Sequence, residues 1–398
     1  MSAKTKLAVG LDLGSTSTRI VICALEDESL RFLGYGEAPV QAWNKSRLSD
    51  PDALAQSIHF ALHEAELRAQ ASPESALIGV GGCVSGLNSR GLYEFGRRRE
   101  IEAGDLRYAI ELAARVRIGE DRQVLQICPQ DFTLDGRAGY RNPKGILGAR
   151  LEANVHVVTV ALQEHEALIS AVHRAHLAVE ESVFEAIAAS YAAILPEDRA
   201  RGVAVIDIGA QSTELAVYDG DALLIAATIP IGAEHFTRDI SWLLKVNYDF
   251  AENLKREYGC AVSDSVAENS MVELPSPEGR GIREASRREL NEILEARAEQ
   301  IFERVYDEVL RVGMEQSLLE GAVLTGGGAL LPGMCDVAER VMNCQARNGL
   351  ATGIEDWPSQ LDNPVWTTAA GLAMYSARLK LKRDWKRAAA GIAGSILK

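Results

Sequence analysis

Two aspartates stand at matching bends in the chain and could hold a metal ion beside a phosphate. Asp12 and Asp207 each follow an apolar, β-branched run, and a glycine comes two residues later, Gly14 and Gly209. Such a bend between strands lets backbone amides converge on an anion, because glycine accepts unusual angles and small hydroxyl residues leave room for phosphate oxygens. A carboxylate beside phosphate is repulsive unless a cation lies between them. The pattern therefore predicts Mg²⁺ near Asp12 and Asp207, bound directly or through water.

The two bends belong to segments that repeat, 7–22 and 204–218, in which Asp12 aligns with Asp207 and Ser17 with Ser212. A single hairpin of this kind could be an ordinary turn. Two copies half a chain apart favour two related α/β halves, each offering a phosphate loop to a shared cleft. The residues predicted to contact phosphate are Gly14, Ser15, Thr16, Ser17, Gly209, Ala210, Gln211, Ser212 and Thr213.

A third glycine-rich segment, 323–333, follows another apolar strand and precedes a helix-like segment. Its three consecutive glycines, 326–328, allow the backbone to approach a flat or bulky ligand closely. The three elements, in this order, resemble the superfamily of actin, Hsp70 and sugar-kinase ATPases. That resemblance implies an α/β protein with a two-domain actin-like (ribonuclease-H-like) fold, and ATP with Mg²⁺ in its nucleotide cleft.

Further motifs narrow the resemblance to the FtsA family of bacterial actin-like cell-division proteins. They are an alanine-rich helix from Glu185, the segment 252–255, the segment 367–371, an insert after Gly82 and a basic C-terminal tail. The resemblance implies that Asp12 and Asp207 lie on the metal side and that Glu185 orients the attacking water. The adenosine contacts that it implies are Glu252, Lys255, Gly326, Gly327, Gly328 and Ala329.

One departure from the family pattern bears on catalysis. Many relatives have consecutive glycines where this chain has Ala210 and Gln211. A Cβ at Ala210 and a long amide at Gln211 narrow the pocket, which affects the positioning of water more than nucleotide binding. The resemblance also implies slow or absent turnover, so we expect at most a slow ATPase, with Glu185 and Asp207 as its candidate catalytic residues.

The resemblance divides the chain into five parts. They are domain 1A (1–83, 161–200 and 364–377), an inserted α+β subdomain 1C (84–160), domain 2A (201–232 and 300–363), subdomain 2B (233–299) and an amphipathic tail (378–398). Periodicity predicts helices over 51–70, 105–116, 232–257 and 287–312, and the small residues of 185–195 suit close packing between domains. The arginines at 97–99 indicate an exposed loop, which is a partner contact or, more commonly, a solvated segment.

Composition limits the class of protein. The 398 residues are 47% hydrophobic, enough for two domains, and the net charge of −14 argues against general nucleic-acid binding. The six cysteines form no CxxC pair and are typical of reduced thiols. Lys4 and Lys6 lead straight into the first strand, which is unlike a signal peptide, and no apolar run approaches the roughly 18 residues of a spanning helix. We expect the protein to stay on the cytoplasmic side.

The last residues, 378–398, reverse the overall charge, with seven Lys and Arg against one Asp. On a helical wheel one narrow apolar stripe consists of Leu381, Trp385, Ala388, Ile392 and Ile396. The opposite, basic side consists of Lys382, Arg383, Lys386 and Arg387. The alternative is a terminal helix that packs its stripe on the core. A basic face on an acidic protein favours instead an interfacial helix that binds the anionic inner membrane.

Three functions compete. The FtsA resemblance implies an adaptor that forms filaments, tethers the C-terminal peptide of FtsZ to the inner membrane at the division site and helps recruit other division proteins. It places that peptide in the region 232–288. The alternatives are a PilM-like scaffold of pilus assembly and a small-molecule kinase, for which no loop with a catalytic base is apparent. His59 and His63, four residues apart, could form a metal pair, but solvent-facing helix residues are favoured.

Overall fold

The computed structural model describes residues 6–26, 29–276, 281–314 and 317–396, with side chains as far as residue 382. Its strands are β1 (Lys6–Leu13), β2 (Ser17–Glu26), β3 (Ser29–Pro39), β4 (Trp43–Asn44), β5 (Arg47–Leu48), β6 (Ser75–Val80), β7 (Val84–Glu100), β8 (Arg122–Leu134), β9 (Arg137–Tyr140), β10 (Leu147–Ala161), β11 (Ala178–Phe184), β12 (Val203–Ile208), β13 (Thr213–Asp219), β14 (Ala222–Ile229), β15 (Met271–Pro275), β16 (Ile282–Ser286), β17 (Ala322–Thr325) and β18 (Ala346–Asn348). Its helices are α1 (Pro51–Ala69), α2 (Ala103–Ala113), α3 (Leu162–Arg174), α4 (Glu185–Ala193), α5 (Pro196–Arg201), α6 (Ala233–Leu243), α7 (Tyr248–Tyr258), α8 (Arg287–Arg311), α9 (Met334–Met342) and α10 (Thr367–Ile396).

The chain divides into two compact units, each with its own sheet and core. The first unit contains Met1–Val80, Glu166–Ala193 and Gly349–Lys398, and the second contains Gly81–His165 and Ile194–Asn348. The predicted insert therefore falls within the second unit.

The sheet of the first unit has the order β11-β6-β1-β2-β3. Strands β11, β6 and β1 run parallel, and β1 to β3 form an antiparallel meander. Helix α1 begins after its N-cap Asp50, whose side chain accepts the Asp52 and Ala53 N–H groups, and lies against β3. The approach is so close that a Cβ on Gly36 would lie 1.9 Å from the carbonyl oxygen of Ala61, so glycine is required there.

Helices α4 and α10 pack together on β1 and β6 of the first unit. Small residues allow this contact, since a Cβ on Gly371 would lie 1.9 Å from the carbonyl oxygen of Ala188. The close packing expected of α4 is thus found against α10, within one unit. Tyr35 and Trp366 make an edge-to-face contact in the same core, with ring centroids 5.1 Å apart.

The sheet of the second unit has the order β18-β17-β12-β13-β14-β7-β10-β8-β9. Strands β12, β17 and β18 are parallel, and β12 to β14 form a meander like that of β1 to β3. The insert joins this sheet where Ala227 of β14 pairs with Ser85 of β7. Buried His156 reinforces the junction, because its Nε2 accepts the Ala226 N–H at 3.0 Å. Burial lowers the pKa of His156 to about 4, which keeps the ring neutral.

Two local predictions were wrong. The arginines at 97–99 lie in β7 and not in a loop, because β7 runs to Glu100, and after a register shift Arg99 and Glu100 pair with Gly148 and Leu147 of β10. Arg99 is neutralised by Asp105 of α2, with Nη2 and Oδ1 2.6 Å apart. The helix predicted over 232–257 is two helices, α6 and α7, since Lys245 has a positive φ of 50° and Asn247 caps α7.

Candidate nucleotide site

The first predicted phosphate loop, 14–16, joins β1 to β2 in the first unit. Asp12 is 7% exposed and lies opposite Arg19 in this hairpin. Arg19 Nη1 is 3.9 Å from Asp12 Oδ2, and Arg19 Nη2 is 2.7 Å from Glu37 Oε1. A cation of the protein itself therefore stands beside the Asp12 carboxylate.

Glu185 lies at the same sheet edge as Asp12. The parallel strands β1, β6 and β11 end at this edge, and Glu185 directly follows β11 as the first residue of α4. A Cβ on Gly79 of β6 would lie 2.9 Å from Glu185 Cγ, so the glutamate side chain lies over the end of that strand. Ligands of open α/β sheets bind at the carboxyl ends of such strands. The first unit thus brings two of the predicted acidic residues to one edge.

The second predicted loop, 209–212, joins β12 to β13 in the second unit. The Gly209 N–H donates to the Ser212 carbonyl at 2.9 Å, so that amide is used within the loop. The Ala233 N–H, in the first turn of α6, donates to the Gly209 carbonyl at 2.8 Å. A Cβ on Gly232 would lie 2.6 Å from the same oxygen. The start of α6 therefore holds this loop in place.

The two residues that depart from the family pattern also contact α6. The Ala210 carbonyl accepts the Glu234 N–H at 2.8 Å. Gln211 is 9% exposed, and its Nε2 donates to Glu234 Oε1 at 3.2 Å. The long amide of Gln211 is thus hydrogen-bonded to the helix that supports the loop.

Glu214 is a buried acid that the sequence analysis did not select. It is 3% exposed and lies opposite Asp207 in the β12–β13 ladder. Its Oε1 accepts from the Ser212 hydroxyl at 2.8 Å and from the Gly82 N–H at 2.7 Å, and its Oε2 accepts from the Thr228 hydroxyl at 2.5 Å. Burial raises the pKa of Glu214 to about 7; these hydrogen bonds oppose the rise, and the Asp207 charge adds to it.

The third glycine loop lies against Asp207. Gly326 follows β17 with φ 79°, and a Cβ there would lie 2.3 Å from Asp207 Oδ1. Thr325, beside Asp207 in the parallel β12–β17 pair, has a buried hydroxyl with no hydrogen-bond partner among the described residues. An unpaired buried hydroxyl is costly, so this atom is a candidate ligand contact.

Glu252 and Lys255 pair with each other on α7 and with α6. Lys255 Nζ is 2.7 Å from Glu252 Oε2 and 2.9 Å from Thr237 Oγ1. Burial would raise the pKa of Glu252, but hydrogen bonds from Lys255, Thr237 and Arg256 outweigh it and lower the value to about 2. Burial also lowers the pKa of Lys255, which offsets part of the stability that the ion pair contributes to the folded state. The predicted adenosine contacts therefore stabilise the helix that holds the second loop.

The second hairpin fits a divalent cation better than the first. Mg²⁺ takes oxygen ligands and keeps several waters, and Asp207 with the unpaired Thr325 hydroxyl offers such oxygens. Asp12, in contrast, has Arg19 at 3.9 Å. The described residues hold no group of three or more His, Cys, Asp or Glu arranged for a metal. His59 and His63 lie on the exposed face of α1.

Sequence reasoning missed Arg19, Glu214 and Thr325. The first two had a local signal, because each lies opposite an aspartate once the hairpin register is known. Thr325 had none, since its place beside Asp207 depends on pairing between strands that are distant in sequence.

The predicted membrane tail is continuous with the first unit. Helix α10 runs without a break from Thr367 to Ile396, and Leu381 is 36% exposed. Lys380 Nζ lies 2.6 Å from Glu180 Oε1, so this basic residue is bound to the first unit. The side chains of the other predicted membrane residues, Trp385, Lys386, Arg387, Ile392 and Ile396, lie outside the described residues. In the described part of the chain no helix is both long and apolar enough to cross a membrane.

Comparison with known proteins identifies the family. The model of the family described as Cell division protein FtsA matches residues 204–371, and that of the SHS2 domain inserted in FTSA matches 81–159. Cell division protein FtsA of Borreliella burgdorferi is 35% identical over 374 residues, covering 93% of this chain and 90% of that protein. The FtsA of Pseudomonas aeruginosa is 32% identical over 372 residues, covering 93% and 89%. This chain belongs to the FtsA family.

Solved structures agree on the fold. A PilM-PilN type IV pilus biogenesis complex superposes with a TM-score of 0.67 at 17% identity, covering 94% of this chain and 99% of that one. MreB 5 of Spiroplasma citri, bound to AMPPNP, gives a TM-score of 0.59 at 13% identity, covering 96% and 99%. These likenesses confirm the actin-like fold, and the SHS2 match confirms the insert. FtsA membership favours the cell-division function over the pilus scaffold and the kinase.

Proposed function

We propose that this member of the FtsA family is an ATP-binding, actin-like cell-division protein that forms filaments on the inner membrane and tethers FtsZ to it. The observation that carries the proposal is the pair of hairpins in which a buried aspartate ends a central strand beside a tight loop, Asp12 before 14–16 and Asp207 before 209–212. Buried carboxylates at strand ends beside glycine loops suit a phosphate ligand with its cation.

Each unit has its own proposed nucleotide contacts. The phosphates contact 14–17 and 209–213, and the adenosine contacts Glu252, Lys255 and 326–329. Mg²⁺, when bound, neutralises the phosphate charge beside Asp207. Turnover is slow, with Glu185 orienting water, and ATP acts mainly by favouring one assembly-competent conformation.

The region 232–288 is the proposed site for the C-terminal peptide of FtsZ. Its surface includes two neighbouring apolar side chains at the end of α6, Trp242 at 79% and Leu243 at 49% exposed. Large exposed side chains of this kind are enriched at protein interfaces, where Trp is a frequent hot-spot residue. A short peptide with apolar side chains is the occupant that this surface fits.

The tail is the proposed membrane anchor. Leu381, Trp385, Ile392 and Ile396 would enter the bilayer interface, and Lys386 with Arg387 would contact anionic headgroups, each basic residue contributing about 1 kcal/mol. A single tail gives modest affinity, so filaments that present many tails bind more strongly. Other division proteins then assemble on this membrane-bound filament.

Liposome flotation tests the adaptor with two matched tryptophan variants. Trp385→Glu should release the protein from anionic vesicles at physiological salt and leave binding of the FtsZ peptide intact. Trp242→Glu should weaken peptide binding and leave flotation intact. Unchanged flotation of Trp385→Glu contradicts the anchor, and unchanged peptide binding of Trp242→Glu contradicts the docking surface. Flotation of the wild type with and without ATP shows whether nucleotide promotes assembly on the vesicle.

A further inference from the structure

Glu214 joins the second phosphate loop to the first residues of the insert. One oxygen of its carboxylate, Oε1, accepts both the Ser212 hydroxyl of the loop and the Gly82 N–H. Its other oxygen accepts the Thr228 hydroxyl, which in turn accepts the Val84 N–H at 3.3 Å. Two backbone amides at the start of the insert are therefore linked to the loop through one buried side chain.

The two donors on Oε1 differ in what they can do. The Gly82 N–H is fixed in the backbone, whereas the Ser212 hydroxyl can rotate toward a better acceptor. A phosphate held by the loop offers several charged oxygens, none of them already shared with the Gly82 N–H, and these compete with the carboxylate for the Ser212 proton. Once Ser212 turns to phosphate, Gly82 no longer shares Oε1 with it and its own bond to Glu214 strengthens.

We propose that Glu214 is a positioning residue that couples occupancy of the second phosphate loop to the start of the insert, with Ser212 as the group that changes partner. The proposal rests on the proposed nucleotide binding. Gly82 has φ 71° and precedes β7, the strand that pairs with β10 along the insert. A change at Gly82 and Val84 is thus placed to alter how the insert is held against β14.

Other contacts between the insert and β14 provide a control. Gln130 Nε2 donates to the Leu223 carbonyl at 2.9 Å and to Asn88 Oδ1 at 3.0 Å. None of these contacts involves a residue of the phosphate loop. Gln130→Met therefore weakens the attachment of the insert without touching the path from Ser212 through Glu214 to Gly82.

Amide hydrogen exchange measured on the full chain with and without saturating Mg·ATP tests the coupling. In the wild type, nucleotide should slow exchange at Gly82 by about fivefold, the factor that corresponds to strengthening its hydrogen bond by about 1 kcal/mol. Gln130→Met should keep this response. Glu214→Gln should lose it, because a neutral amide oxygen holds the Gly82 N–H more weakly and does not depend on Ser212.

A second variant keeps the test decisive if Glu214→Gln folds poorly. Ser212→Ala removes the group that changes partner, and saturating nucleotide compensates for any weaker binding. Its exchange at Gly82 should not respond to nucleotide. Calorimetry of Mg·ATP separates the two claims, because an absence of binding overturns the proposed function. If Mg·ATP binds and exchange at Gly82 is unchanged or faster, the coupling is overturned. A wild-type response in Ser212→Ala overturns it as well.

Discussion

The two phosphate hairpins share a backbone pattern and differ in the charge opposite the aspartate. In the first unit Asp12 lies opposite Arg19, and in the second Asp207 lies opposite Glu214. One carboxylate is partly neutralised by the protein, and the other stands beside a second acid and an unpaired Thr325 hydroxyl. The two copies of the repeat therefore have the same backbone geometry but a different electrostatic environment around the aspartate. We infer that the second hairpin is the one that requires an added cation.

The largest expected effect comes from Gly326, which lies against the second aspartate. In Gly326→Ala the new Cβ would meet Asp207 Oδ1, and φ 79° is unfavourable for alanine. ATP affinity should fall by about 100-fold, the upper end of the loss seen when a group that orients a metal ligand is disturbed. Calorimetry on purified protein measures it.

The neighbouring Gly327→Ala variant is the control for an effect on folding. A Cβ on Gly327 would meet no described atom within 4 Å, so Gly327→Ala should melt within a degree or two of the wild type, as neutral surface changes do. If Gly326→Ala bound ATP as tightly as the wild type, the third loop would not be the support of Asp207.

A smaller effect concerns the helices behind the second hairpin. Glu252 is held ionised by Lys255 and Thr237, with a folded pKa of about 2 against an ordinary value of 4.5. The stabilisation is fully present above about pH 4.5 and is lost as pH falls toward 2. Glu252→Gln should therefore cost about 2 kcal/mol at pH 7, after allowance for solvent screening, and progressively less below pH 4.5.

Urea unfolding from pH 7 to pH 3.5 measures this difference. Arg256→Gln serves as the matched control, because Arg256 is an exposed partner of the same carboxylate and should cost about 0.5 kcal/mol or less. A constant difference between wild type and Glu252→Gln over the whole range would contradict the ionised pair.

The smallest effect belongs to the first hairpin. Arg19→Gln removes the cation near Asp12, so ATP without Mg²⁺ should bind about fivefold more weakly, which corresponds to about 1 kcal/mol, the upper end of the range measured for surface ion pairs. Binding of Mg·ATP should change less, because the metal already screens the phosphates. An equal loss with and without Mg²⁺ would show that Arg19 acts through folding and not through the charge of Asp12.

The sequence allowed the two hairpins to be predicted, because they repeat, and the actin-like class, because the motifs resemble that superfamily. The contacts that distinguish the hairpins fall into two groups, those that the sequence could have shown and those that it could not. Arg19 and Glu214 could have been found by writing out the register across each bend. The Gly82 contact of Glu214 and the place of Gly326 against Asp207 could not, since both depend on pairings between residues far apart in the chain.

The same lesson explains the arginine run at 97–99. Three consecutive charges indicated a loop, but β7 runs past them, and its pairing with β10 resumes at Arg99 and Glu100 after a register shift. Asp105, at the start of the next helix, supplies the compensating charge for Arg99. Tertiary pairing outweighs local polarity there.

The affinity for ATP, measured by calorimetry with Mg²⁺ and with EDTA for the wild type, Asp12→Asn and Asp207→Asn, tests the central claim most directly. Asp207→Asn should bind Mg·ATP about 100-fold more weakly and lose its dependence on Mg²⁺, whereas Asp12→Asn should cost about tenfold and keep that dependence. Equal losses in the two variants, or wild-type affinity and Mg²⁺ dependence in Asp207→Asn, would contradict the asymmetry between the hairpins.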